Sequence, residues 1–292
     1  MSEKSQTNRE YRDRLFKFIF GNSENKEWTL SLYNAVNDSN YQNADDIEFN
    51  TISDAVYMSM KNDVSFLIND TFNFYEQQST YNPNIPIRFL IYIGMVYSRY
   101  VERDSYNRFS KTIQRAPTPK CICFYNGKDE TEDRFQLKLT DSFEFANKSD
   151  VEVTVTMLNI NYEHNKALME ACAPLNEYSW FVNEISANKT KNNTLEDAVD
   201  AALNKMPDNF RIREFLFNNK AEVKRMCITE YDEQKAFAQQ RAEGIAEGQI
   251  ELLIDLIKDG TVSLETAAEK MNMSKEEFTR RAAEYQNKDT IK

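Results

Sequence analysis

The chain of 292 residues carries a single histidine, His164, which weakens every mechanism needing an imidazole base, Ser/His and Cys/His hydrolysis among them. Cysteine is also sparse. Cys121, Cys123, Cys172 and Cys227 read as reduced thiols in a chain that shows no secretion signal. Cys121 and Cys123 lie two apart in KCICFY, but the lone histidine and the two distant cysteines supply no structural-zinc spacing. No apolar run is long enough for a bilayer, since IPIRFLIYIGMVY is short and is interrupted by Arg88. The opening MSEKSQTNREYRDR is polar and charged, with no signal peptide, so the expectation is a cytoplasmic protein without a membrane partner. Positive charge is in deficit too. With 36 Lys and Arg against 47 Asp and Glu, the net charge of -11 argues against a general nucleic-acid-binding surface. A bound cation and local basic patches would offset that deficit.

What is present is a folding sequence, 41% hydrophobic and 12% aromatic. Its most informative segment is a pair of strand-like runs, DVSFLI and TFNFYEQQ, flanking Asn69-Asp70. A two-residue loop fixes hairpin register, which sets Ile68 opposite Thr71, Leu67 opposite Phe72 and Asp63 opposite Glu76. Strand side chains repeat every two residues, so Gln78 shares the face of Glu76 and lies diagonal to Asp63. Two like charges at that spacing repel unless a cation sits between them, and the pair reads as a site for a hard divalent metal. It reads equally as an exposed hairpin end with two solvated acids. The pair alone leaves both readings open.

Around the hairpin the periodicity alternates between helix and strand. YRDRLFKFIFG is an amphipathic segment stopped by glycine, and EWTLSLYNAVN is a helix with Glu27 near its start, where the helix dipole favours a carboxylate. DDIEFNTI reads as a strand, AVYMSMK leads into the hairpin, and Pro86 begins the long helix IPIRFLIYIGMVYSRYVE. KCICFYNG, DRFQLKLT and VEVTVTMLNI supply further strands. From Tyr162 onward apolar residues recur at helical spacing through HNKALMEAC, NEYSWFVNEIS, TLEDAVDAALNKM and NFRIREFLFNN. The final segment, from DEQKAFAQQRAEG to the end, is a charged helical pattern with Gly260 as a stop and a Ser274/Glu277 capping box. Its outline resembles a helix-turn-helix with Lys275, Arg280 and Arg281 available to phosphates, although Glu276, Glu277 and Glu284 favour a plain helical hairpin. The expected organisation is a mixed α/β (α+β) core over residues 1–161, a helical region packing on it over 162–230, and a helical tail over 231–292 that is a candidate for homodimer formation.

An Asp on one strand followed by Glu-x-Gln on the next, between two helices, is the layout of the PD-(D/E)XK, or restriction-endonuclease-like, nuclease core. The resemblance extends further. YRDRLFKFIFG, MKNDVSFLI, YEQQSTYNPNIPIRFLIYIG, ICFYNG, LNINYEHNKALMEAC, FLFNNKAEVKRMCITEYDEQKAFAQQRAEG and LIKDGTVSLETAAEKMNMS together resemble the recombination-promoting nuclease/putative transposase family of bacteria. The resemblance covers nearly the whole chain. It implies a mixed sheet flanked by helices, with Mg²⁺- or Mn²⁺-dependent cleavage of DNA phosphodiester bonds linked to recombination or mobile elements. Carried over by position, Asp63 and Glu76 would bind metal, and Gln78 would stand where the broad superfamily usually has lysine. Glutamine supplies no positive charge and orients water or phosphate by hydrogen bonding alone. The family itself commonly shows Glu-x-Gln.

Four further residues enter as candidate auxiliaries. Lys61, opposite Gln78 in the inferred register, would restore the missing positive charge. Glu27 would add an acid from an early helix, against its ordinary role at a helix start. Ser79 and Arg88 fall within the matching segments, against simpler roles at a strand end and on a helix surface. The competing function is a catalytically weak or inactive nuclease-like module that holds DNA or a protein partner, favoured by the acidic charge and the absent lysine. A nuclease toxin or defence component restrained by its helical region is a weaker third reading.

Overall fold

A computed structural model describes residues 11–49, 64–103, 109–190, 193–227 and, further on, 253–254, 256–257, 260–271, 273–275 and 277–280. The chain divides into two compact units, Met1–Glu230 and Tyr231–Lys292.

The first helix, α1 (Tyr11–Phe20), buries Tyr11, Leu15, Phe16, Ile19 and Phe20, a stripe at helical spacing. It ends at Gly21, where an added Cβ would lie 2.7 Å from the Lys17 carbonyl oxygen and 3.3 Å from Val64 Cγ2. Two carbonyls left over at this helix end are satisfied from nearby. Thr29 Oγ1 donates to Phe20 O at 2.6 Å, and Asn25 Nδ2 donates to Ile19 O at 3.3 Å. The second helix, α2 (Lys26–Asn37), closes on Asp38 in the left-handed region at φ 50°.

Six strands follow: β1 (Glu48–Phe49), β2 (Val64–Ile68), β3 (Thr71–Gln78), β4 (Thr118–Tyr125), β5 (Arg134–Lys138) and β6 (Thr154–Asn159). They form one mixed sheet in the order β1-β2-β3-β4-β6-β5. β3 pairs with β2 antiparallel and with β4 parallel. The β2–β3 turn has Asn69 at φ 47° and Asp70 at φ 56°, the primed geometry whose twist suits a two-residue hairpin. Register follows from that turn, with Ile68 opposite Thr71 and Val64 opposite Tyr75. Strands read from alternation come out shorter. Asn43 accepts a hydrogen bond from Asp45 N at 3.2 Å and turns residues 44–46 into a short 3₁₀ segment ahead of β1. Leu139 is fully buried and starts another 3₁₀ turn immediately after β5.

The helix α3 (Ile85–Arg103) links β3 to its parallel neighbour β4 and covers one sheet face. Phe72 and Phe74 of β3 pack there with Phe89, Tyr92 and Val96. Tyr75 points to the other face, where it clusters with Phe16, Phe66 and Phe124. Because both faces are covered, β3 is buried from Phe72 to Gln78. Fully burying one such phenylalanine is worth about 1.5–3 kcal/mol.

Four helices follow the sheet: α4 (Lys166–Ala171), α5 (Ala173–Asn188), α6 (Leu195–Lys205) and α7 (Arg213–Asn218), and residues 220–227 are helical as well. α5 sends Leu175, Tyr178, Phe181, Val182 and Ile185 into the cluster that holds Phe16 and Phe20. It also buries Glu177, whose Oε2 accepts from Ile212 N at 3.0 Å. All four cysteines are buried free thiols, and burial alone pushes Cys121 up to about 12, far from a reactive thiolate.

In the second unit Gly260, at φ 79°, precedes α8 (Leu264–Lys270), and Leu253, Ile254, Ala267, Ala268 and Phe278 form a small core. Ser274 Oγ accepts from Glu277 N at 3.2 Å, the serine half of a capping box. No helix among the described residues is long and apolar enough to cross a membrane.

Candidate functional site

The last turn of β3 departs from the aromatic pattern before it. Phe72 and Phe74 give way, on the same face, to Glu76 and Gln78, which are 2% and 8% exposed. Placing a carboxylate there is costly unless its oxygens find partners. One does. Glu76 Oε1 lies 2.6 Å from Arg88 Nη2 and 3.4 Å from Gln78 Nε2.

Arg88 arrives from the first turn of α3, and its direction is set by Tyr92 one turn further along. The Tyr92 hydroxyl accepts from Arg88 Nε at 3.2 Å and from Nη2 at 2.9 Å. Tyr92 is itself fully buried, so the brace is anchored in the core. The Arg88 side chain is 35% exposed against 3% for that of Glu76, so the guanidinium reaches from the buried carboxylate to solvent.

The other oxygens are not satisfied. Glu76 Oε2 and Gln78 Oε1 are buried and have no hydrogen-bond partner among the described residues. Burial raises the Glu76 carboxyl to about 7, outweighing the guanidinium of Arg88 and the hydrogen bonds from Gln78 and Tyr92, while the charge of Asp13 raises it further.

Asp13 belongs to α1, whose beginning is pinned to the same end of the sheet. Arg12 Nη1 donates to Asn126 Oδ1 at 2.7 Å, and Asn126 N donates to the carbonyl of Gln78 at 2.8 Å. The Tyr178 hydroxyl secures this end by donating to Arg12 O at 2.8 Å. Beside it, Tyr125 is the register partner of Gln78 and its hydroxyl accepts from Asp129 N at 2.9 Å. The chain closes over the Tyr125 ring at Gly127, where any Cβ would collide with the phenol.

Of the residues singled out by sequence, Glu76, Gln78 and Arg88 are brought together. Asp63 and Lys61 lie outside the described residues. Glu27 is exposed on α2, where it lines a surface cavity of ≈ 880 Å³ with Ser31, Asn34 and Asp38 and shares no wall with Glu76. Ser79 follows the end of β3, half-buried, without a hydrogen bond to Glu76, Gln78 or Arg88 among the described residues. The residues that sequence reasoning missed are Asp13 and Tyr92. A signal existed for each, since Asp13 lies off the apolar stripe of α1 and Tyr92 is four residues from Arg88.

Among the described residues, no group of three or more His, Cys, Asp and Glu side chains could hold a metal ion. The donors at the end of β3 are one carboxylate oxygen and one amide oxygen, both buried and both lacking a partner among the described residues. Hard oxygen donors of this kind are the ligand type that Mg²⁺ and Mn²⁺ take. His164 is elsewhere, half-exposed, with its Nδ1 3.2 Å from Asp133 Oδ1. A scan of protein-family models and searches of curated proteins and of solved structures match nothing to this chain.

Proposed function

We propose that the chain is a metal-dependent DNA endonuclease built on a PD-(D/E)XK core and related to the recombination-promoting nucleases that its sequence resembles. The observation that carries this reading is the pair of buried oxygens without a hydrogen-bond partner among the described residues, Glu76 Oε2 and Gln78 Oε1, two residues apart on one strand face. The element order supports it as well: a helix, an antiparallel hairpin, a covering helix, then a strand parallel to β3.

In this reading Glu76 offers Oε2 and Gln78 offers Oε1 to a divalent cation, while Arg88 and Tyr92 keep Oε1 of Glu76 in place. Asp63, immediately before β2 in the sequence, is the second acidic ligand. A bound Mg²⁺ or Mn²⁺ would supply Lewis acidity at the phosphate and a more acidic water. Gln78 Nε2 donates toward the carboxylate and fixes which way its own carbonyl oxygen points.

The experiment is cleavage of supercoiled plasmid with Mg²⁺ or Mn²⁺ by the wild type, Asp63→Ala and Glu76→Ala. Loss of nicking in both variants is expected. Equal nicking by all three proteins would sink the assignment. A second reading, a nuclease-like module that binds DNA or protein without cutting, draws on the net charge of -11 and on Gln78 standing where lysine is usual. DNA binding by the wild type without cleavage under either metal is its signature.

A further inference from the structure

The nuclease reading leaves one chemical part unassigned. Glutamine at position 78 supplies no positive charge, and a phosphodiester gathering negative charge in its transition state needs a cation fixed nearby. Two donors converge on the same oxygen of Glu76. Gln78 Nε2 stands 3.4 Å from Oε1 along the strand, and Arg88 Nη2 stands 2.6 Å from it across the gap to α3. Arg88 therefore brings its charge to Glu76 from the helix, beside the amide that Gln78 brings from the strand.

Three features set Arg88 apart from a simple charge partner. Its plane is fixed at two nitrogens by Tyr92, so it is pre-organised and not a flexible surface arginine. Its side chain is one-third exposed beside an almost fully buried carboxylate, so a ligand from solvent meets the guanidinium before it meets Glu76. Nε and Nη2 already serve Tyr92 and Glu76, so what the guanidinium brings to a phosphate is a charge fixed in place, which a carboxamide lacks.

We propose that Arg88 is the phosphate-holding cation of this site, taking from α3 the part that a strand lysine would play, with Tyr92 as its brace. The inference rests on the nuclease reading and adds a consequence of its own. Arg88 and a divalent cation draw on the same carboxylate, so they compete electrostatically for Glu76 while acting together on the phosphate. Removing Arg88 should therefore lower cleavage without lowering metal affinity.

The test uses the full chain and four proteins: wild type, Arg88→Met, Arg88→Lys, and Arg88→Met combined with Gln78→Lys. Thermal melting establishes that each is folded. Calorimetry with Mn²⁺ alone reads metal affinity without substrate, and plasmid nicking reads kcat and KM. For Arg88→Met we expect at least about 100-fold loss in kcat, the scale of removing one charge-stabilising group, with Mn²⁺ affinity unchanged or tighter. Arg88→Lys should keep wild-type Mn²⁺ affinity and a measurable part of the rate. Lysine at position 78 should restore at least about tenfold of what Arg88→Met loses, equivalent to ~1.4 kcal/mol.

Mn²⁺ affinity that falls in step with cleavage would show that Arg88 merely holds Glu76 in place, and the proposal fails. So does absence of rescue by the lysine in a double variant that still binds Mn²⁺. If Arg88→Met does not fold, Arg88→Lys and the double variant still decide, since both retain a cation. A wild type that is folded yet neither binds Mn²⁺ nor cuts DNA overturns the nuclease reading itself, an outcome distinct from failed rescue in an active enzyme.

Discussion

Among the described residues of the first unit two glutamates are buried, Glu76 on β3 and Glu177 on α5, and burial is the largest influence raising the carboxyl pKa of each. They do different work. Glu177 accepts from the backbone N–H of Ile212 at 3.0 Å and fastens the start of α7 to α5, so its charge is spent on the fold. Glu76 gives one oxygen to Arg88 and Gln78 and keeps the other buried without a hydrogen bond among the described residues. Neither burial nor a raised pKa distinguishes a candidate site from a structural buried acid here. What separates the two is that Glu76 Oε2 lacks a hydrogen-bond partner among the described residues.

The comparison breaks if Glu76 proves to be structural or Glu177 functional, and the largest effect calibrates what structural means on this strand. Phe74→Ala, two residues before Glu76 and on the same face, should cost about 3–5 kcal/mol of unfolding free energy in a urea titration, because it opens a cavity against Phe89 and Tyr92. Glu76→Gln should behave otherwise. The amide keeps an oxygen for the partly exposed Arg88 but loses the charge, so stability should fall by about 1–3 kcal/mol, while plasmid nicking falls at least about 100-fold. A large stability loss in Glu76→Gln would place Glu76 in the same class as Phe74. Glu177→Ala should cost about 1–3 kcal/mol by leaving the Ile212 N–H unsatisfied, with nicking per folded molecule unchanged.

The difference between these two acids was only partly legible in the sequence. The hairpin was legible because Asn69 and Asp70 tolerate positive φ, and a two-residue turn dictates register by local geometry alone. The shared face of Glu76 and Gln78 followed from the two-residue strand repeat. The mixed sheet flanked by helices was also readable, since strand-like runs alternate with helical ones. What the sequence hid depends on packing between distant segments. Arg88 reads as a helix-surface residue until α3 is set against β3 by Phe89 and Tyr92, which decides that position 88 meets Glu76. Asp13 reads as one charge on an amphipathic helix until Arg12 bonds to Asn126, 114 residues away, and fixes that helix end beside Gln78. Glu27, chosen for its place near a helix start, faces a different cavity because α2 presents that side to solvent. Glu177 was invisible for the same reason, since its partner Ile212 lies 35 residues on.

The smallest predicted effect tests the structural half of the comparison. The Glu177 carboxyl is raised from its ordinary value of 4.5, chiefly by burial and against the backbone donors at Ile212 and Arg211. A raised acid holds its proton more tightly in the folded chain than in the unfolded one, so between the two pKa values the folded state binds more protons and stability falls as pH rises. Its contribution is fully present below about 4.5 and is lost as pH climbs through the folded-state value. Glu177→Gln keeps an oxygen for Ile212 N but does not titrate. The stability of wild type minus that of Glu177→Gln, from urea titrations at successive pH values, should therefore decline from pH 4.5 upward and then level off. A flat difference would mean that the burial of Glu177 is fully offset by its backbone donors, and a rising one that those donors favour the charged form. In either case the two buried glutamates would differ in charge state as well as in partners, and the raised carboxyl would belong to β3 alone.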